Sequence, residues 1–370
     1  MSRGIASARP EWVEQTPARI GGWAGVHTVV VDLERIAAID YHTGGEPFRL
    51  VTEPPVALPG DTVADRRVRA MADPVVQHLR RVLCHEPRGH ADMYGGFIVP
   101  PDDASAHLGV LFWHKDGFST ACGHGAIALG AWAVDSGLVD APDTGSVDVV
   151  VDVPSGRVTA RVVRDGARTV GVEFVNVPSF VLARQVPVTT SRGEVRVEVS
   201  FGGAIYAQVP ASAFDLVVAP EHVHDLIAVG REVKWALEGT EHAAHPDDPR
   251  LSGIYGTVLF DDLGDDGEGR VHQRNVAIFA DGQVDRSPCG SGTAARMATL
   301  ATEGRLDGPG AVLVHSSIVG STFTGSIVDR VTVGGRPAVV PAITGTAFRT
   351  GDHVFHVDPA DELLPGFVLR

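Results

Sequence analysis

The stretches ACGHGAIALGAWAVDSGLV (residues 121–139) and PCGSGTAARMATLATEGRL (residues 288–306) are two copies of one pattern. With Cys122 laid over Cys289, the pairs Gly123/Gly290, Gly125/Gly292, Ala128/Ala295, Ala131/Ala298 and Gly137/Gly304 coincide. Each copy reads as an Ala-rich helix that starts just after its cysteine and stops at a glycine in the C′ position. A helix start has free N–H groups and favours negative charge. Each thiol is therefore expected to ionise more readily than a free side chain of pKa ~8.5. A lone cysteine is most often a small buried hydrophobe, and Cys84 is read that way. A matched pair at matched helix starts points instead to two activated thiols.

The rest of the 370-residue chain bounds what those thiols serve. It is long enough for two domains with large cores. A hydrophobic fraction of 44% and a mean hydropathy of +0.08 belong to a globular chain. A net charge of −15 argues against a nucleic-acid partner, whose backbone calls for a basic face. No apolar run approaches the ~18–20 residues of a membrane span. Three cysteines do not suit a disulfide scaffold, so a reducing cytoplasm is expected. The first 31 residues carry Arg, Glu and Pro where a signal peptide needs an apolar stretch, and read as a tail.

Val/Thr-rich alternation predicts strands at 29–31, 36–41, 48–52, 96–99 and 108–113, then at 146–153, 157–163 and 170–177. A helical stretch over 65–84 carries Val68, Met71, Val75, Leu79 and Leu83, with Pro74 kinking or breaking it. From about residue 179 the plan begins again. Strands at 186–188, 194–201 and 204–209 precede a helix over 221–238, with Leu226, Val229, Val233 and Leu237 on one stripe. Strands at 254–260 and 275–279 then lead to the second cysteine helix, and strands from 311 to 357 finish the chain. The expected division is a tail (1–31), a first domain (32–182) holding Cys122 and a second (183–349) holding Cys289. Strands of 350–370 return to the first domain, and the site lies between the two.

Two other motifs lose their force on inspection. Gly123, Gly125 and Ala128, like Gly290, Gly292 and Ala295, fit G-x-G-x-x-A, but neither copy has the strand and distant acid of a dinucleotide site. His85 and His90 are five apart, and Pro87 and Gly89 break the helix that would present them to a metal. No metal is expected. At a helix start, His124 only two residues from Cys122 is not expected to pair with it directly. His42 and His90 lie in Gly-rich turns, where hydrogen-bonding roles serve equally well.

Inverting a carbon acid calls for a base on one face and an acid on the other. Two thiols, one ionised and one protonated, supply both and exchange roles with direction. HTGGEP (42–47), EPRGHADMYGG (86–96), CGHG (122–125), DRSPCGSGT (285–293) and GSTFTG (320–325) together resemble the proline racemase superfamily over residues 36–370. That superfamily includes proline racemases, 4-hydroxyproline 2-epimerases and trans-3-hydroxy-L-proline dehydratases. The resemblance implies an α+β fold of diaminopimelate-epimerase type: two similar domains, each a strand-rich barrel around a central helix. It also implies a homodimer, cofactor-independent chemistry and a small imino acid as substrate.

Residue by residue, it assigns Cys122 and Cys289 as the acid/base pair, with His124 and Asp285 near the imino nitrogen. The N–H groups of Gly123, His124, Gly290 and Ser291 would hold the carboxylate. Tyr94 and Phe279 would wall the ring, with Tyr206 a further candidate. The dehydratases typically carry Thr at the position of Cys289, and two cysteines match the racemases and epimerases. Inversion of proline or hydroxyproline is the first reading and dehydration the second. A non-catalytic imino-acid-binding protein is the third, and retention of both thiols and Asp285 speaks against it.

Overall fold

The computed structural model describes residues 34–308 and 310–370; the tail and the strand expected at 29–31 lie outside the described residues. A hairpin of β1 (Arg35–Thr43) and β2 (Glu46–Val51) turns at Gly44 and Gly45, whose φ of 58° and 93° suit glycine. Helices α1 (Val63–Ala72) and α2 (Pro74–Cys84) precede β3 (Tyr94–Val99), β4 (Leu108–His114) and β5 (Gly117–Phe118). Helix α3 (Gly123–Asp135) leads into a meander of β6 (Gly145–Val153), β7 (Gly156–Asp165) and β8 (Arg168–Val175). Next come β9 (Ser179–Thr190), β10 (Gly193–Phe201), β11 (Ile205–Pro210) and α4 (Val223–Leu237). Strands β12 (Ile254–Asp265), β13 (Arg270–Phe279) and β14 (Gln283–Val284) precede α5 (Gly290–Thr302). The chain ends with β15 (Val312–Ser317), β16 (Thr322–Val333), β17 (Arg336–Gly345) and β18 (Ala347–His356).

Strand pairing closes twice. β9, β10, β11, β12, β13, β15, β16 and β17 pair in that order, and β17 returns to β9 at Ala338–Phe180. Helix α5 packs against β9, β10, β11, β16 and β17. The other circuit runs β18, β1, β2, β3, β4, β6, β7, β8, and β8 pairs with β17, which continues into β18. Helix α3 packs against β1, β2, β6, β7, β8 and β18. Strand β17 thus serves both circuits, and β18, the last strand, pairs with β1.

Small residues let a helix sit inside such a barrel. Every residue of α3 from Gly123 to Val134 is buried, the pattern of a helix with no solvent face. A Cβ on Gly130 would lie 2.7 Å from the Cβ of Ala160 on β7. α5 is buried from Gly290 to Leu300 and carries one cation inside, Arg296. Its guanidinium donates to Gln273 Oε1 at 2.9 Å and Gln208 Oε1 at 3.3 Å, and lies 4.0 Å from the Phe260 ring centre. Those partners replace the water it gave up. Gly137 and Gly304, at φ 73° and 74°, end α3 and α5 as C′ residues.

The stretch at 65–84 breaks rather than kinks. Asp73 caps α2 by accepting from the N–H groups of Val75 and Val76, with Pro74 as first helical residue. The break also splits the expected apolar stripe: Leu79 and Leu83 are buried, while Val68 and Met71 are 45% and 48% exposed. The helix expected over 221–238 is α4, entered through a turn of 3-10 helix at Pro220–His222. Its stripe of Leu226, Val229, Val233 and Leu237 is buried throughout. Among the described residues no helix is long and apolar enough to cross a membrane.

Candidate active site

The two central helices meet start to start. A Cβ on Gly123 would lie 2.6 Å from Gly290 Cα, and one on Gly290 would lie 2.6 Å from Gly123 Cα. Only glycine at both positions lets the backbones approach this closely. The meeting brings Cys122 and Cys289 onto one small cavity with about 10 Å³ for the centre of a water. Its lining also includes Tyr94, His124, Phe279, Asp285, Gly290 and Ser291, all expected from the sequence. Gly123 adjoins it through Gly290.

Cys122 is the N-cap of α3, with extended backbone (φ −155°) and its Sγ accepting from the Gly125 N–H at 3.2 Å. His124 stands beside it, Nδ1 3.4 Å and Nε2 3.6 Å from Sγ, so the sulfur is nearly equidistant from the two nitrogens and aligned with the N–H direction of neither. The ring folds back over the helix start because Tyr94 meets it edge-on at 4.9 Å. Burial lowers the His124 pKa, Asp285 opposing that shift, so the ring is neutral at pH 7. Its Nδ1 lies 4.0 Å from Asp285 Oδ2, close but not an ion pair.

Cys289 occupies the matching place on different backbone, with φ +63° and ψ 100°. For a residue with a Cβ this costs on the order of 1–3 kcal/mol and must be imposed from outside. The preceding turn imposes it. Asp285 Oδ1 accepts from both the N–H (2.8 Å) and the hydroxyl (2.7 Å) of Ser287, whose Oγ accepts from the Cys289 N–H at 3.0 Å. Tyr206 stands over this thiol, its hydroxyl 3.6 Å from Sγ and 2.7 Å from Ser291 Oγ.

Both thiols have pKa values raised well above the ordinary range, chiefly by burial, and Asp285 raises both further. The helix-start N–H groups act in the expected direction, but desolvation outweighs them. The expectation of readily ionised thiols is thereby corrected: burial favours the protonated form of both. Cys84, the last residue of α2, is pushed up to about 12, also by burial. Labelling with iodoacetamide, followed by mass spectrometry, should therefore be slow at Cys122 and Cys289 at pH 7. It should accelerate about tenfold per pH unit above that, since only thiolate reacts. Rapid labelling of either at pH 6 would contradict this account.

Two residues of the site had escaped sequence reasoning. Tyr255 lines the cavity, stacks on Phe279 at 5.7 Å and shares a hydrogen bond of 3.0 Å with the Tyr94 hydroxyl. Glu46 is fully buried beside the Asp285 turn, its Oε2 accepting from the Arg286 N–H at 2.7 Å. Burial first, and Asp285 second, raise its pKa well above the carboxylate range. It was visible as the acid of HTGGEP but carried no assigned part.

The proline racemase family model matches residues 38–368 of this chain. A trans-3-hydroxy-L-proline dehydratase of Bacillus thuringiensis subsp. konkukian is 42% identical over 333 residues, 90% of this chain and 97% of that protein. A 3-hydroxyproline 2-epimerase of Burkholderia multivorans is 44% identical over 338 residues, 90% of this chain and 98% of that protein. A hydroxyproline epimerase from Agrobacterium vitis, solved with bound trans-4-OH-L-proline, superposes with a TM-score of 0.84 at 31% identity. That match covers 91% of this chain and 96% of the other. The α+β arrangement of barrels around central helices is thus shared over nearly the whole length.

Proposed function

The chain belongs to the proline racemase family, and from that membership we propose that it is a cofactor-independent epimerase. It inverts Cα of proline or a hydroxyproline, with Cys122 and Cys289 as acid/base groups on opposite faces. The observation that carries this reading is that both thiols line one cavity, each at the start of a central helix.

In the proposed cycle one cysteine, as thiolate, takes the Cα proton, and the electron pair spreads into the substrate carboxylate. The other cysteine gives its proton to the opposite face, leaving the inverted product with the two thiols' roles exchanged. No proton is gained or lost overall. Two positive helix ends pointing at one spot repel each other unless an anion lies between them. The substrate carboxylate, held by the N–H groups of Gly123, His124, Gly290 and Ser291, is suited to that place. Its ring nitrogen, as a cation beside Asp285, would offset the part of the rise that Asp285 causes, burial being the larger part. The starting thiolate would form by loss of one thiol proton to solvent before the substrate is enclosed, leaving one thiolate facing one thiol. Tyr94, Phe279, Tyr206 and Tyr255 would enclose the ring.

So small a cavity also requires the cleft to open for entry. We place the division between a first domain around α3, with β18, and a second around α5 in the short link between β8 and β9. The working form is proposed to be a homodimer.

Dehydration of trans-3-hydroxy-L-proline is the second reading, favoured by the name that several relatives carry. Its hydroxyl is trans to the carboxylate and so shares a face with the Cα hydrogen. One thiol can take the proton and assist the departing hydroxyl, leaving the other without a task. Incubation with L-proline, trans-4-hydroxy-L-proline and trans-3-hydroxy-L-proline in D2O separates the readings. Inversion with one deuterium at Cα is expected. Loss of water from the 3-hydroxy substrate alone would establish the second reading, and no exchange with any of the three would remove both.

A further inference from the structure

A second cavity, of about 250 Å³, lies between α1 and α4, and Ser119 and Tyr255 belong to its lining. Tyr255 also lines the catalytic cavity, and its hydroxyl bonds to that of Tyr94, which in turn bonds to Ser119 Oγ. Tyr255 thus borders both spaces, its hydroxyl in one cluster with those of Tyr94 and Ser119.

The larger cavity carries charge that its neighbours leave unused. Lys234, on α4, is 7% exposed, and its Nζ makes no hydrogen bond among the described residues. It rests instead 3.7 Å from the ring centre of Trp235, whose Nε1 donates to Asp281 Oδ1 at 3.1 Å. The carboxylates facing it are Asp281, Asp116 and, on its own helix, Glu238. The ammonium faces this cavity with no fixed acceptor, and an incoming carboxylate would supply a charged one. Arg67, on α1, donates from Nε to Phe118 O at 3.0 Å and from Nη1 to Arg250 O at 3.3 Å. Its Nη2 has no hydrogen bond among the described residues, and its charge acts on the hydroxyls of Tyr94 and Tyr255.

We propose that this cavity is a docking site for the carboxylate of the incoming imino acid. Lys234 and Arg67 hold the carboxylate, and the Tyr94–Ser119–Tyr255 hydroxyl cluster gates passage to the thiols. Asp116 and Asp281, in the same lining, are already paired with Lys115 and Arg231, so the cavity recognises the carboxylate end of a zwitterion. The identity of the ligand rests on the epimerase reading; the carboxylate site itself does not.

Trp235 provides a readout independent of turnover, because a carboxylate drawn to Lys234 displaces the ammonium from the indole face. Titration with L-proline and with acetate should change the tryptophan fluorescence, and titration with pyrrolidine, which lacks the carboxylate, should not. Trp235→Phe should remove the response. Lys234→Met, of similar length and suited to a buried place, should weaken L-proline binding at least tenfold, and Arg67→Met should do likewise. In turnover assays Lys234→Met should raise KM about tenfold while kcat changes less. Fluorescence unmoved by L-proline and acetate, or unaltered affinity in a folded Lys234→Met protein, would overturn the docking site. A response at Trp235 without turnover of any imino acid would keep the site and remove the epimerase reading. Turnover with a silent Trp235 would do the reverse.

Discussion

Cys289→Ser should abolish inversion of proline and 4-hydroxyproline, by at least the ~10²–10⁴-fold that a positioned acid or base contributes. Serine keeps the size and the hydrogen bonds but, as an alcohol, is too weak an acid to exchange a proton at neutral pH. The geometry around the position makes the comparison clean. The Cys289 N–H is tied to Ser287 Oγ, and Tyr206 is tied to Ser291 whether or not it meets sulfur. The turn should therefore hold serine in the same place. Cys289→Thr separates the two chemistries. If position 289 has no task in dehydration, the threonine protein should dehydrate trans-3-hydroxy-L-proline at least as well as wild type, with inversion gone. Cys122→Ser should then eliminate that dehydration too. Wild type that dehydrates the 3-hydroxy substrate briskly, with no detectable inversion of either other imino acid, would sink the first reading.

Why the sequence disclosed this pair and not its surroundings is a matter of range. A helix start, its glycines and its C′ stop are local, so the duplicated pattern around Cys122 and Cys289 could be read directly. α3 and α5 begin and end where that pattern puts them. The backbone beneath the thiols could not be read so. The repeat predicts equal conformations, yet Cys289 takes φ +63°, because the Asp285–Ser287 turn is found in only one copy. The sign of the thiol pKa shift depends on burial by residues distant in the chain, among them Tyr94, Tyr206 and Tyr255. Tyr255 itself lies in an ordinary strand and gains its place only when β12 pairs in parallel with β11. Closure of both circuits through β17 is likewise a long-range pairing that no local alternation announces.

Gly123→Ala should cost on the order of 10²-fold in kcat/KM without unfolding the protein, for a reason distinct from the loss of a reacting group. The added Cβ would stand 2.6 Å from Gly290 Cα, 2.8 Å from Gly290 C and 2.9 Å from Ser291 N. All three are backbone atoms, so no side chain can swing aside, and the two helix starts must move apart by about 1 Å. That motion carries Cys122 and Cys289 with it, and a misplacement of ~1 Å at a reacting centre can cost ~10²-fold. Secondary structure need not suffer, since alanine favours a helix over glycine by about 1 kcal/mol. Gly137→Ala is the control. That position has φ +73° and nothing within 4 Å of a new Cβ, so its strain falls on stability. Its melting temperature should drop while activity per folded molecule stays level. Circular dichroism, thermal melting and Cα exchange in D2O on the two proteins distinguish the cases. Full activity in Gly123→Ala would mean that the close approach of the two helix starts is not what sets the distance between the thiols.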